Sequence, residues 1–92
     1  MTIWKITIPV QSIGSTLLPV GSKPIRVAEQ HGEMQLWFTV PDTRATLDDI
    51  TYIILGTGQI MPEEYVETMT YVGSAELGIF VWRLYLENRY TK

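Results

Sequence analysis

Hydrophobic and polar residues alternate over several short stretches of the chain, and the first of these lies near its start. Within residues 3–10 every second position is apolar, and these positions are Trp4, Ile6, Ile8 and Val10. A period of two over β-branched residues is typical of a half-buried strand. Pro9 lacks an amide hydrogen, so we expect this strand to lie at a sheet edge or to end there. A shorter, irregular strand is expected within residues 11–22, also at an edge because it contains Pro19.

Residues 24–40 predict a tight hairpin. Two alternating runs flank His31-Gly32, and an X-Gly pair between such runs favours a two-residue turn in which glycine takes a positive φ angle. His31 is then exposed at the tip. In the second arm one face is apolar and consists of Met34, Leu36, Phe38 and Val40. Trp37 lies alone among polar neighbours on the other face.

The central strand of the predicted sheet is residues 50–55, which are apolar on both faces. Such a strand is buried on both sides, so its second side needs a cover. Pro62 suits the first position of a helix, and the two glutamates that follow it favour the positive end of the helix dipole. We therefore expect a short helix over residues 62–67 as the cover, with a partner subunit as the alternative.

The remaining segments complete a small β domain. Residues 41–49 are a polar connection, 68–72 predict a strand, 73–78 a loop or hairpin connection, 79–87 a long last strand and 88–92 a frayed tail. Six or seven short strands with one short helix predict a mainly β fold, either a small antiparallel β-sandwich or a partly open barrel. Residues 1–92 are expected to form a single domain.

Composition narrows the function classes. A formal charge of −3 disfavours a duplex nucleic-acid binder, which needs a basic stripe to neutralise phosphates, but permits a pocket for one small nucleotide. The absence of cysteine excludes disulfides, zinc-thiolate sites and thiol nucleophiles. No catalytic constellation, metal-ligand spacing or cofactor motif stands out, so we expect a protein that is not an enzyme. Neither a signal peptide nor a membrane span is recognisable, and the cytoplasm is the expected location.

Gly56-Thr57-Gly58 is the first candidate binding element. Two glycines around a hydroxyl allow backbone amides to converge on an anion. The spacing is that of neither a Walker loop nor a dinucleotide-binding fingerprint. The alternative is a structural turn or bulge that ends the central strand.

An aromatic residue and three cations are further candidates. Trp37 either packs under a loop or helix, lies in a subunit interface, or stacks on a planar ligand. Arg26, Arg44 and Arg83 are suited to phosphate because guanidinium makes bidentate contacts. Arg83 lies mid-strand, where it needs either a carboxylate partner or a ligand if it is buried. The clustered acids Glu63, Glu64 and Glu67 are interpreted as a solvated surface.

Several short motifs resemble a family of small uncharacterised bacteriophage and prophage proteins. The likeness covers most of the chain and rests on Ile3-Trp4-Lys5 with Pro9, on Gly32-x-x-x-Leu36-Trp37, on Gly56-Thr57-Gly58-x-x-x-Pro62, and on Tyr71-Val72-Gly73-Ser74 with Phe80-Val81-Trp82. The resemblance implies an accessory protein that acts in the host cytoplasm. It supplies no catalytic residues.

Two functions follow as hypotheses. The first is a non-enzymatic, homo-oligomeric binding module that sequesters a host molecule, most concretely a nucleotide-derived immune signal in a counter-defence role, or else a host defence protein. Tentative ligand-binding residues are Gly56, Thr57, Gly58, Arg83, Arg26 and Trp37. The alternative is a small structural or assembly protein of the virion.

Overall fold

The protein is a two-layer β-sandwich, which confirms the predicted fold class. The computed structural model describes residues 1–90 and contains seven strands there. The strands are β1 (Thr2–Ile8), β2 (Ile13–Pro19), β3 (Lys23–Gln30), β4 (Glu33–Val40), β5 (Leu47–Gly56), β6 (Met69–Leu77) and β7 (Phe80–Glu87). Sheet A has the order β1-β4-β3 and sheet B the order β2-β5-β7-β6, with every neighbouring pair antiparallel.

Sheet A is built on the predicted hairpin. His31 and Gly32 both have positive φ, 57° and 80°, as a two-residue hairpin turn of this hand requires. The Gly32 amide donates a hydrogen bond to Oε2 of Glu29 at 2.6 Å, which further fixes the turn. His31 is exposed at the tip, as predicted. β1 then pairs with the free side of β4 and lies at the sheet edge, where Pro9 placed it.

Sheet B is built around β5, the strand predicted to be central. β2 pairs with one side of β5 and lies at the edge, as Pro19 predicted. β7 pairs with the other side, and β6 forms the second edge. The inner faces of the two sheets enclose the core, whose fully buried members include Phe38, Leu36, Tyr52, Ile54, Leu84 and Leu86.

Two features hold the sheets together at their margins. At one margin, the Tyr52 hydroxyl donates to the Pro9 carbonyl at 2.8 Å and accepts from Nε2 of Gln11 at 2.9 Å, which ties down the β1–β2 connection. At the other margin β6 crosses close to β3. A Cβ added to Gly73 would lie 2.7 Å from Cβ of Val27, so only glycine permits this approach.

Four local predictions are wrong or only partly right. The connection predicted over 41–49 is shorter, because β5 begins at Leu47. The expected helix over 62–67 is a single 3₁₀ turn, Glu63–Tyr65. The expected loop over 73–78 is mostly strand, because β6 continues through a register shift between Tyr71 and Gly73. In the expected tail, Asn88–Tyr90 form a second 3₁₀ turn, and residues 91–92 lie outside the described residues. No helix within residues 1–90 is long and apolar enough to cross a membrane.

Candidate functional site

The part of the outer face of sheet B that lies over β5 is covered by the chain itself. β5 and β6 both run antiparallel to β7, which lies between them, so the connection from β5 to β6 must return along the sheet. This connection, residues 57–68, is called the cover segment below. Ile53 points away from the core yet is only 2% exposed. The cover segment explains this burial, since Tyr65 and Pro62 line a cavity of about 300 Å³ together with Ile53.

The cover segment is anchored at its far end. Nδ2 of Asn88 donates to the Glu67 carbonyl at 2.6 Å, and the Asn88 amide donates to the Thr68 carbonyl at 3.0 Å. The acids Glu63, Glu64 and Glu67 are all exposed on this segment, which confirms that they form a solvated surface. The predicted need for a cover on β5 is therefore met within one chain.

The outer face of sheet A is not crossed by any connection between the strands. We call it the basic face; it comprises the outward side chains of β1, β4 and β3. Its members include the cations Lys5, Lys23 and Arg26, the polar residues Thr7, Gln30, Gln35 and Thr39, and Trp37. The acid Glu33 lies on it only at the hairpin end, opposite Gln30. Three of the chain's seven basic residues thus share one face of a protein whose net charge is −3.

Trp37 lies at the centre of the basic face between two cations. Lys5 is its cross-strand partner on β1 and Arg26 its partner on β3. Nζ of Lys5 is 5.9 Å from the ring centroid and the Arg26 guanidinium carbon is 5.4 Å from it, distances at which a cation is attracted to an aromatic ring. Trp37 is half-buried.

A β-bulge brings Arg26 to this position. The register shifts between Pro24 and Arg26, so Arg26 and not Ile25 lies opposite Trp37. Without the extra residue, alternation would place Arg26 opposite Leu36, which points into the core. The bulge therefore turns the guanidinium outward.

Hydrogen bonds order the rest of the basic face. Nζ of Lys5 donates to Oε1 of Gln30 at 2.5 Å, and the Thr7 hydroxyl donates to Oε1 of Gln35 at 3.0 Å. These bonds fix the positions of the polar side chains around the aromatic ring. It contains no nucleophile–base pair.

Gly56-Thr57-Gly58 forms a turn. The Gln59 amide donates to the Gly56 carbonyl at 3.1 Å, and Gly58 takes the positive φ of 88° that such a turn demands at its third position. The Gly56 amide already donates to Oε1 of Gln59 at 2.6 Å. Gly56 also makes room for Trp82, since an added Cβ would lie 2.9 Å from its ring. These contacts account for both glycines structurally.

Arg83 lies on the outer face of sheet B, opposite Leu55 and Ser74. It is half-buried, and none of the ion pairs or hydrogen bonds found among residues 1–90 involves it. An open cavity of about 500 Å³ beside Gly56 and Thr57 is lined by Gln59, Ile79, Phe80, Val81 and Trp82, without a cation. The structure therefore brings Arg26 and Trp37 together but places Arg83 and Gly56–Gly58 in the opposite sheet.

Lys5 is the member of this cluster that the sequence prediction missed. Its outward direction follows from alternation in β1, but its contact with Trp37 requires that β1 pair with β4. Within residues 1–90, no group of three His, Cys, Asp or Glu side chains is arranged to hold a metal ion.

Comparison with known proteins identifies a family without assigning an activity. Residues 1–91 match the model of a domain of unknown function, DUF7352. The chain belongs to this family. No curated protein and no solved structure matches the chain.

Proposed function

We propose that this DUF7352 protein is a non-enzymatic binding module that holds a nucleotide-class ligand on its basic face. The observation that carries the proposal is Trp37 flanked by Lys5 and Arg26. A nucleotide combines a planar base with an anionic phosphate, and this cluster offers a ring beside two cations.

A ligand that carries both a planar ring and an anionic group should bind this cluster more tightly than an anion alone. Stacking of a base on an aromatic side chain is worth about 1–3 kcal/mol, and a hydrogen bond to a charged group about 1.5–3 kcal/mol. A bound base would displace one cation from the Trp37 ring, which frees that cation for phosphate. The planar guanidinium of Arg26 suits bidentate contact.

The biological form of the proposal is sequestration. On this proposal the protein is a phage accessory protein in the host cytoplasm that binds a nucleotide-derived immune signal, and binding alone suffices for that role. A host protein with an acidic, ring-bearing surface segment would fit the same face.

Calorimetric titration with a panel of linear and cyclic nucleotides tests the proposal. We expect saturable binding of at least one nucleotide. The matching nucleoside lacks the phosphate and inorganic pyrophosphate lacks the base, so each should bind at least about tenfold more weakly. Arg26→Gln and Trp37→Leu should each weaken binding about tenfold or more. Arg44→Gln is the matched control, since Arg44 is exposed and pairs only locally with Asp42.

Two results would contradict the proposal. The first is the absence of heat and of any melting-temperature shift across the whole panel. The second is binding that the Arg26 and Trp37 variants leave unchanged.

A structural role in the virion is the second candidate. The observation in its favour is a row of exposed apolar residues along and beside β2, among them Ile13, Leu17 and Leu47. Mass spectrometry of purified virions separates the two: recovery in virions at stoichiometric amounts favours assembly, and recovery only in lysates of infected cells favours the binding module.

A further inference from the structure

The four sheet edges of the sandwich differ in how they are protected from pairing with another strand. β1 carries Lys5 at its centre. β3 and β6 each contain a register shift and lie against one another at the Val27–Gly73 crossing. Charged side chains and bulges are the usual means by which proteins block edge pairing. β2 has neither, because Ile13–Pro19 contains no charged residue and its register with β5 is unbroken. Its one proline, Pro19, is the last residue of the strand and leaves the amides before it free to pair.

The outward side of β2 presents a regular row of backbone groups. The Ile54 amide donates to the Ser12 carbonyl, and the Val20 amide to the Thr46 carbonyl. Both bonds involve even-numbered residues of this segment. Along an antiparallel ladder every second residue forms hydrogen bonds to the neighbouring strand, so the even-numbered residues from Ser12 to Val20 direct their amides and carbonyls toward β5. The amides and carbonyls of Ile13, Ser15 and Leu17 therefore point away from the sheet, and within residues 1–90 β2 pairs only with β5.

This row is complementary to itself. In an antiparallel pairing centred on Ser15, Ser15 faces Ser15 of the partner subunit, and Ile13 faces Leu17 of the partner subunit. Residues that face each other have side chains on the same side of the sheet, so exposed apolar groups meet each other there. Ile13 is 47% and Leu17 56% exposed in the single chain. No charge on either strand opposes the approach.

We infer that β2 is a homodimer interface in which two copies pair antiparallel through a two-fold axis at Ser15. The occupant is a second copy because a two-fold rotation about Ser15 pairs the free amides and carbonyls of the two strands and also brings their exposed apolar side chains together. A two-fold contact of this kind involves two copies only and does not extend into a fibre. Sheet B of the two copies then becomes one eight-stranded sheet, four strands from each. The inference does not rest on the proposed function, since the basic face belongs to sheet A.

Molar mass in solution tests this inference, measured by light scattering over a dilution series on the full chain. The wild type should show twice the chain mass of 10.5 kDa at the higher concentrations. Leu17→Lys should halve that mass, because it places a charge opposite an apolar residue of the partner subunit. The change is compatible with the fold, since the direct neighbour of Leu17 on β5 is Asp49.

A second variant acts on the backbone. Ser15→Pro removes an outward amide that β5 does not use, and it should also yield the monomer, while Ser15→Ala should remain dimeric. Ile79→Lys is the matched control for charge, because Ile79 is 91% exposed at the β6–β7 turn, away from β2. Circular dichroism reports whether each variant folds, and if Ser15→Pro does not fold, Leu17→Lys decides.

Three results would overturn the inference. One is a wild-type chain that is monomeric throughout the series. Another is a dimer that persists in Leu17→Lys, which would place the interface elsewhere. The third is dissociation by Ile79→Lys to the same extent as by Leu17→Lys.

Discussion

A connection crosses one outer face of this sandwich and none crosses the other, although both faces belong to antiparallel sheets of similar size. Sheet A is assembled with the tight His31-Gly32 hairpin, and no connection crosses its outer face. Sheet B contains β5 and β6 in the same direction on either side of β7, so the chain must return across it. The cover segment makes this return and buries Ile53 and Met69, which lie outside the main core cluster. Strand order thus decides which outer face the chain itself crosses.

Charge follows the same division. The open face of sheet A carries Lys5, Lys23 and Arg26, whereas the cover segment on sheet B carries Glu63, Glu64 and Glu67. Net charge describes neither face, because a chain of −3 can present a locally positive surface. These cations and these acids therefore lie on opposite outer faces of the sandwich.

The largest expected difference between the faces is in stability. Ile53→Ala should lower the free energy of unfolding by about 2–4 kcal/mol, because it creates a cavity beneath the cover segment. Ile3→Ala makes the same change on the basic face, where Ile3 is 59% exposed, and should cost less than about 0.5 kcal/mol. Urea denaturation followed by circular dichroism measures both. Equal losses would show that the two faces are equally buried, contrary to the comparison.

A smaller effect is expected from the cover itself. Tyr65→Ala removes the ring that lines cavities on both sides of the cover segment, and should cost about 1–2 kcal/mol from apolar area that becomes exposed. Hydrogen exchange should then quicken at the sheet B amides beneath the segment and remain unchanged in β4. Val66→Ala is the control, because Val66 is exposed on the same segment. Faster exchange in β4 would mean that the two sheets do not open independently.

Much of this comparison could be predicted from local sequence. His31-Gly32 specified its hairpin through turn chemistry alone, and alternation assigned Trp37 to the outward side of its strand. The two-sided apolar pattern of residues 50–55 correctly required a cover. These signals succeed because each depends on residues that are close in sequence.

The failures have non-local causes. Gly73 suggested a loop, but it is required because Val27 of another sheet approaches it within a strand. The segment after Pro62 has a helical start but forms only a 3₁₀ turn, since its Tyr65 is held over sheet B and the chain enters β6 a few residues later. Arg26 reaches Trp37 through a bulge, and Lys5 reaches it through the pairing of β1 with β4. The presence of a glycine, a proline or an arginine in the sequence does not reveal which distant residue it contacts in the fold.

The smallest expected effect concerns the cations beside Trp37, and it tests whether the open face is preorganised. A double-mutant cycle on Arg26→Gln and Trp37→Leu should give a coupling of about 0.5–1 kcal/mol in the free energy of unfolding, the range for exposed cation–π pairs. Because Arg26 is exposed and Trp37 is only half-buried on the open sheet, added salt should reduce the coupling. Lys23→Gln with Trp37→Leu is the matched cycle, since Lys23 faces Thr39 and not the ring. A coupling near zero for Arg26 would mean that the guanidinium moves independently of the indole, and the ordered cluster behind the proposed ligand site would not exist in solution.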